Sequence, residues 1–112
     1  MPIFITQGRY TRDAIKGMVA NPEDRAETVA KLAQQAGGKL IAYYITMGEY
    51  DFLTIFEMPS HKEACAVALT AAASGGVTDV KTTLAMTSAE AKEVFAASGK
   101  AAQGFRAAGG AA

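Results

Sequence analysis

His61 and Tyr44 are the side chains of this sequence whose chemistry could support proton transfer. His61 is the only histidine, and imidazole is the side chain that gains or loses a proton most readily near neutral pH. Cys65 follows it four residues later, a spacing that puts both on one face of a helix. One hypothesis is therefore a thiol–imidazole contact. The alternative is an exposed histidine in the first turn of a helix and a buried, small cysteine.

Polar residues in and beside the predicted strands are candidates for a ligand site. They are Tyr10, Tyr44, Tyr50, Asp51 and Glu57. In two-layer folds, ligand pockets form between sheet and helices, where a few polar groups orient the ligand. For Tyr50 and Asp51 the alternative role is structural, because aspartate can bond nearby amides and fix a turn. Arg25 could supply a cation for an anionic ligand, or it could be a solvated helix charge.

The charge balance and the cysteine content argue against several classes of protein. Lys and Arg together number 11, as do Asp and Glu, so the formal net charge is zero. The sequence has no basic stripe of the kind that would predict binding to nucleic acid or to a membrane. Cys65 is the only cysteine, so neither an intrachain disulfide nor a zinc site of Cys and His ligands is expected. No metal and no cofactor are predicted. No signal peptide or membrane span is apparent, which predicts a cytoplasmic protein.

Four segments have the β-branched and aromatic composition of strands: residues 3–9, 39–46, 52–57 and 77–85. The connection between the second and third of them has the length and composition of a hairpin turn.

Capping residues predict where the helices begin. Asn21 followed by Pro22 predicts a helix start, and that helix should end at about residue 36 before two glycines. Residues 14–19 could add one earlier helical turn. Ser60 with Glu63 forms a capping-box pattern for a second helix, which two further glycines terminate at 75–76. A third helix begins at a second such pattern, at residues 87–90, and should end near residue 98.

The predicted order of strand, helix, strand, strand, helix, strand is the ferredoxin-like βαββαβ arrangement. The fold class is therefore α+β, with two helices on one face of a four-stranded antiparallel sheet. A C-terminal helix and a loose tail rich in alanine and glycine follow. This divides the chain into a domain at residues 1–93 and, at 94–112, the end of the helix with the tail.

The predicted sheet is apolar on both faces. Strict alternation in the second strand puts Ile41, Tyr43 and Ile45 on one face. Leu40, Ala42 and Tyr44 then lie on the other. Two alanine-rich helices can cover only one face, and monomers rarely leave large apolar patches in water. We therefore expect a homodimer formed face to face; the alternative is that the C-terminal helix folds over the open face.

Several segments together resemble the GYD domain family. They are Gly37–Leu40, Tyr44, Gly48–Asp51, Glu57–Pro59 and Val80–Met86. The likeness spans residues 3–93, and its most specific element is the turn that contains Gly48, Tyr50 and Asp51. The resemblance implies a dimeric α/β barrel, in which two ferredoxin-like sheets close on each other. It assigns no reaction.

The expected function is that of a homo-oligomeric small-ligand-binding or structural domain, whose partners are a second copy and a small organic molecule. The alternative is a cofactor-independent enzyme, similar to a monooxygenase or isomerase, that acts on a small aromatic or carbonyl compound. A third hypothesis is an interaction module that uses the alanine- and glycine-rich tail as a docking arm.

Overall fold

The computed structural model describes residues 1–110. In chain order its elements are β1 (Ile3–Tyr10), α1 (Arg12–Ala20), α2 (Ala26–Gln35), β2 (Lys39–Ile45), β3 (Phe52–Glu57), α3 (His61–Ala73), β4 (Val77–Ala85) and α4 (Ser88–Ala102).

The four strands form one sheet in the order β2-β3-β1-β4, and every neighbouring pair is antiparallel. The hairpin β2–β3 therefore lies on one side of β1, and β4 lies on the other. This is the ferredoxin-like arrangement, and the predicted α+β fold is confirmed.

The region between β1 and α2 differs from the prediction that Asn21 begins a helix. Thr11 caps a nine-residue helix, α1, by accepting a hydrogen bond from the Ala14 amide at 3.2 Å. Asn21 closes that helix instead, donating its amide to the Gly17 carbonyl at 2.9 Å. The reason is local, because a residue before proline is pushed out of helical geometry. The next helix, α2, begins only at Ala26.

The other two predicted helix starts lie where the sequence puts them. Ser60 caps α3, although its hydroxyl accepts from the Lys62 amide at 3.2 Å rather than from Glu63. The Ser60 hydroxyl instead donates to the Glu63 carboxylate. At α4 the predicted capping box is confirmed, since Thr87 and Glu90 bond each other's amides at 3.1 Å.

Helix α4 projects from the body of the molecule. It ends at Ala102, four residues beyond the predicted end near Ser98, and none of its residues is buried. The molecule measures 63 × 30 × 22 Å, with a radius of gyration of 18.3 Å, whereas a compact chain of this length would have about 13 Å. The alternative that α4 folds over the open sheet face is therefore wrong. Of the predicted tail, residues 111–112 lie outside the described residues.

The core lies between the sheet and the helices α2 and α3. Its buried members are Phe4, Ala33, Phe56, Met58, Ala64 and Val67. The alanines at the helix positions let the helix backbones approach the aromatic side chains of β1 and β3 closely. The helix-covered face of the sheet is thus defined by Phe4 and Phe56.

A β-bulge in β2 makes one of the predicted face assignments of this strand wrong. Leu40 pairs with Phe56, but Ala42 pairs with Ile55, so Ile41 is an extra residue in the ladder. Leu40 therefore lies on the helix-covered face with Tyr43, contrary to strict alternation.

The opposite face of the sheet is uncovered within the described chain and is largely apolar. We call this the open face; its central residues are Ile3, Ile5, Ala42, Tyr44, Leu53 and Ile55. Tyr44 is 60% exposed on it.

Replacing Gly38 by alanine should destabilise the fold, because the added methyl group would overlap the Glu57 carbonyl oxygen and the Met58 sulfur. We expect a loss of roughly 1–3 kcal/mol, the usual cost of overpacking. Gly17→Ala is the matched control, since its methyl group meets nothing within 4 Å in α1. It should stabilise the helix by about 0.5–1 kcal/mol. Urea unfolding followed by circular dichroism measures both, and an unchanged midpoint for Gly38→Ala would contradict the packing described here.

Candidate functional site

A cleft of about 760 Å³ lies between the helix-covered face of the sheet and the helices α1, α2 and α3. Alternate residues of β3 form its floor: Phe52, Thr54 and Phe56. All three are buried. The cleft has the size and position typical of small-molecule sites in two-layer folds.

The cleft exists because small residues face it from the helices. Helix α1 contributes Ala14 and Gly17, and helix α3 contributes Ala68 and Ala71. Larger apolar side chains at these four positions would fill the space above the sheet. Alanine and glycine leave it open.

Two tyrosine hydroxyls meet in the cleft. Tyr10 ends β1 and Tyr43 lies in β2, and their hydroxyl oxygens are 2.5 Å apart. The Tyr10 ring also contacts Phe52, with ring centroids 5.2 Å apart. Burial raises the pKa of Tyr10, and the hydrogen bond with Tyr43 raises it further. Tyr10 is therefore a neutral phenol at physiological pH, and the pair acts through hydrogen bonds.

The threonine hydroxyls near the two tyrosines already have hydrogen-bond partners. The buried Thr54 hydroxyl donates to the Thr6 carbonyl at 3.2 Å. The hydroxyls of Thr6 and Thr82 lie 3.0 Å apart. These threonines link neighbouring strands, and their hydroxyls already have hydrogen-bond partners within the sheet.

Charged groups lie at the rim of the cleft. Arg25 donates from Nη1 to the Glu23 carboxylate at 2.8 Å, and its side chain is 39% exposed. Lys31, on α2, lies 3.5 Å from Glu27 and is largely exposed. The positive charge of Arg25 opposes the rise in the Tyr10 pKa that burial and Tyr43 cause, and both side chains line the cleft.

The five predicted ligand residues do not lie together. Tyr10 lines the cleft. Tyr44 and Glu57 lie on the open face, since they pair with Leu53 and Ile3 and not with the residues of the cleft floor. Because side chains alternate along a strand, neither can reach the cleft that Tyr10 lines.

Asp51 and Tyr50 form the turn between β2 and β3. The Asp51 carboxylate accepts the backbone amide of Tyr10 at 2.9 Å. Its own amide donates to Gly8 at 2.8 Å, and its carbonyl accepts from Thr46 at 2.8 Å. The ring of Tyr50 lies 5.9 Å from the Arg9 guanidinium. Asp51 therefore ties the turn to the end of β1, where Tyr10 enters the cleft.

His61 and Cys65 lie on the outer side of α3, away from the cleft. Both are exposed, so the expectation of a buried cysteine is wrong. The face of α3 that contacts the core is defined by Ala64 and Val67 instead. Within residues 1–110 no three His, Cys, Asp or Glu side chains are grouped so that they could hold a metal ion.

Tyr43 is a residue of this site that the sequence does not single out. Its partner Tyr10 lies 33 residues away in the chain, and only the strand order brings the two hydroxyls together. The sequence contains one weak signal for Tyr43. Tyr43 and Tyr44 are consecutive residues of a strand, so one of the two tyrosines must point toward the helices.

These features define an α+β domain of ferredoxin-like architecture with a cleft between sheet and helices. The sequence model of the GYD domain matches residues 4–95. The chain therefore belongs to the GYD domain family, as the resemblance indicates.

The turn between β2 and β3 contributes to the cleft indirectly. Asp51 binds the backbone amide of Tyr10, and the side chain of the same tyrosine meets Tyr43. Tyr10 is thus fixed at both its backbone and its hydroxyl by the β2–β3 hairpin. A positioning role for this turn does not require that Tyr50 or Asp51 touch a ligand.

The proteins similar to this chain include two from Thermus thermophilus. One is the Thermus thermophilus "Glutamine synthetase and cystathionine beta-lyase binding protein", 31% identical over 77 residues, which cover 69% of this chain and 81% of that protein. The other is a crystal structure of a Thermus thermophilus protein with a TM-score of 0.51 and 17% identity. That likeness covers 79% of this chain and 96% of the other, and it supports the fold alone. Among the helices of the described residues, none combines the length and apolar character that crossing a membrane requires.

Removing the Asp51 carboxylate should destabilise the turn and the end of β1. Asp51→Ala leaves the half-buried Tyr10 amide without its acceptor, which should cost roughly 1–3 kcal/mol. Asp51→Asn retains an oxygen that can accept the bond and should cost less. Urea unfolding of both variants measures the difference. Equal stability of Asp51→Ala and the unsubstituted protein would show that this bond does not hold the turn.

Proposed function

We propose that this chain is a homo-oligomeric domain that binds a small organic molecule in the cleft between sheet and helices. The observation that carries the proposal is the cleft itself, an apolar space of about 760 Å³ that two tyrosine hydroxyls enter. Apolar walls with a few convergent polar groups are the usual composition of ligand sites.

The open face supports the homo-oligomeric part of the proposal. Its isoleucines and leucine form a continuous apolar surface that no element of the described chain covers. Removing the exposed part of this apolar surface from water would contribute roughly 25 cal/mol per Å². A second copy, whose own open face is equally apolar, would cover this surface by the closed, two-fold pairing that most homo-oligomers use.

A protein partner is the second candidate function. The observation that favours it is the name of the Thermus thermophilus relative, which describes that protein as binding two enzymes. This chain could act in the same way on a partner protein. In that case the exposed surfaces, and not the cleft, would carry the contact.

The enzyme alternative has less support from the geometry. Tyr44 and His61, the two candidates for proton transfer, lie on different surfaces of the molecule and outside the cleft. Tyr10 lies inside it, but its raised pKa makes it a hydrogen-bond donor and not a base at neutral pH.

Native mass spectrometry of the purified protein tests the ligand site. We expect a small molecule to remain bound to the unsubstituted protein and to be lost in Ala71→Phe, whose ring would occupy the cleft. Ala72→Phe is the matched control, because Ala72 is exposed and does not line the cleft. A small molecule retained equally by both variants would contradict the cleft as its site. A bound protein retained by both would favour the second candidate function.

A charge on the open face should dissociate the proposed homodimer. Leu53→Lys would have to bury an ammonium group between two sheets, which is costly without a partner. Leu69→Lys is the control, since Leu69 lies on the outer side of α3 and is 69% exposed. Sedimentation equilibrium at micromolar concentration should show a dimer for the unsubstituted protein and for Leu69→Lys, and a monomer for Leu53→Lys. An unsubstituted protein that is monomeric at this concentration would overturn the homo-oligomeric part of the proposal.

A further inference from the structure

We propose that the ligand of the cleft is a small carboxylic acid with an apolar body, and that its carboxylate binds between the Tyr10–Tyr43 hydroxyl pair and Arg25. This inference rests on the proposed function, because it assigns a ligand class to the same cleft. It follows from the walls, the hydroxyl pair and the charges at the rim.

The walls require an apolar body. Besides the aromatic floor of β3, side chains from α2, α3 and β4 line the space: Val29, Leu32, Val67, Val77 and Val80. A strongly polar molecule would lose its hydration against these side chains without gaining hydrogen bonds. Other polar side chains that line the cleft are exposed: Asn21, Thr28, Gln35, Thr70 and Ser74. Inside the cleft the polar contacts therefore come from the tyrosine pair.

The hydroxyl pair requires an oxygen acceptor on the ligand. The two phenols carry two hydroxyl hydrogens, and their mutual bond uses one of them. The remaining hydrogen is free to point into the cleft. Because both groups are phenols, the pair presents a donor to a carbonyl, carboxylate or hydroxyl oxygen of the ligand.

The rim favours a negative charge on that oxygen. Of the ionisable side chains that line the cleft besides the tyrosines, two are cationic and one is anionic: Arg25, Lys31 and Glu23. Glu23 accepts from one guanidinium nitrogen of Arg25. A guanidinium has five N–H donors in a fixed fork, so Arg25 can hold Glu23 and still donate to a ligand carboxylate.

Probe compounds that share one apolar body and differ only in the charge of the head group test the ligand class. Isothermal titration calorimetry would compare 2-naphthoate, neutral 2-naphthamide and cationic 2-naphthylmethylammonium as probes. We expect 2-naphthoate to bind at least about tenfold more tightly than the other two, because charge-assisted hydrogen bonds are the stronger kind. Decanoate, a carboxylate without a ring, separates an aliphatic from an aromatic body.

Two variants test separately the ligand's contact with Arg25 and its contact with the tyrosine pair. Arg25→Gln should weaken binding of 2-naphthoate about tenfold and leave 2-naphthamide nearly unchanged, since only the carboxylate needs the cation. Tyr43→Phe combined with Tyr10→Phe should weaken both, because no phenol hydroxyl then remains to donate to either oxygen. Tyr44→Phe, on the open face, is the matched control and should change neither. Circular dichroism establishes that each variant is folded.

The outcomes distinguish this inference from the proposed function. Suppose that the three naphthalene probes bind equally well to the unsubstituted protein and that Ala71→Phe removes the binding of all three. The cleft is then a ligand site, but the carboxylate class is wrong. Binding of 2-naphthoate that neither Arg25→Gln nor the double variant of Tyr10 and Tyr43 weakens also overturns the class. If no probe binds, the class is wrong as well, and the native mass spectra of Ala71→Phe then decide whether the cleft holds any ligand.

Discussion

The alternation of side chains along β3 is the constraint on which the rest of this structure depends. Phe52, Thr54 and Phe56 point toward the helices, so Leu53 and Ile55 must point away from them. The first set forms the floor of a cleft, and the second set forms the centre of the open face. One short strand therefore divides the molecule into a surface suited to a small ligand and a surface suited to a second copy.

Much of the fold could be predicted because it follows from local patterns of residue types in the sequence. The four strands and the starts of α3 and α4 follow from β-branched runs and capping residues. The order of the strands in the sheet follows from the ferredoxin-like arrangement that the order of the elements predicts. The errors occur where local signals compete. Asn21 has the type of a helix cap, yet Thr11 begins a helix earlier and Pro22 makes Asn21 its end. The bulge at Ile41 has no such local signal, because a ladder gains an extra residue only in relation to its partner strand.

The candidate site was harder to predict for a related reason. Tyr10 can be selected from its position at the end of a strand. Its partner Tyr43 lies on β2, which β3 separates from β1 in the sheet, so no local signal predicts the contact of the two hydroxyls. The space around them is also invisible in sequence, since alanine and glycine on a helix can mean either close packing or an open cleft. Ala33 shows the first outcome and Ala71 the second.

The projecting helix α4 has a consequence for how the particle moves in solution. A body 63 Å long and 22 Å thick meets more friction from the solvent than a sphere of equal mass. It should therefore diffuse slowly and leave a gel-filtration column early, as a heavier globular protein would. Elution volume alone would overcount the chains in the particle, whereas the angular dependence of X-ray scattering would reveal the extended arm directly.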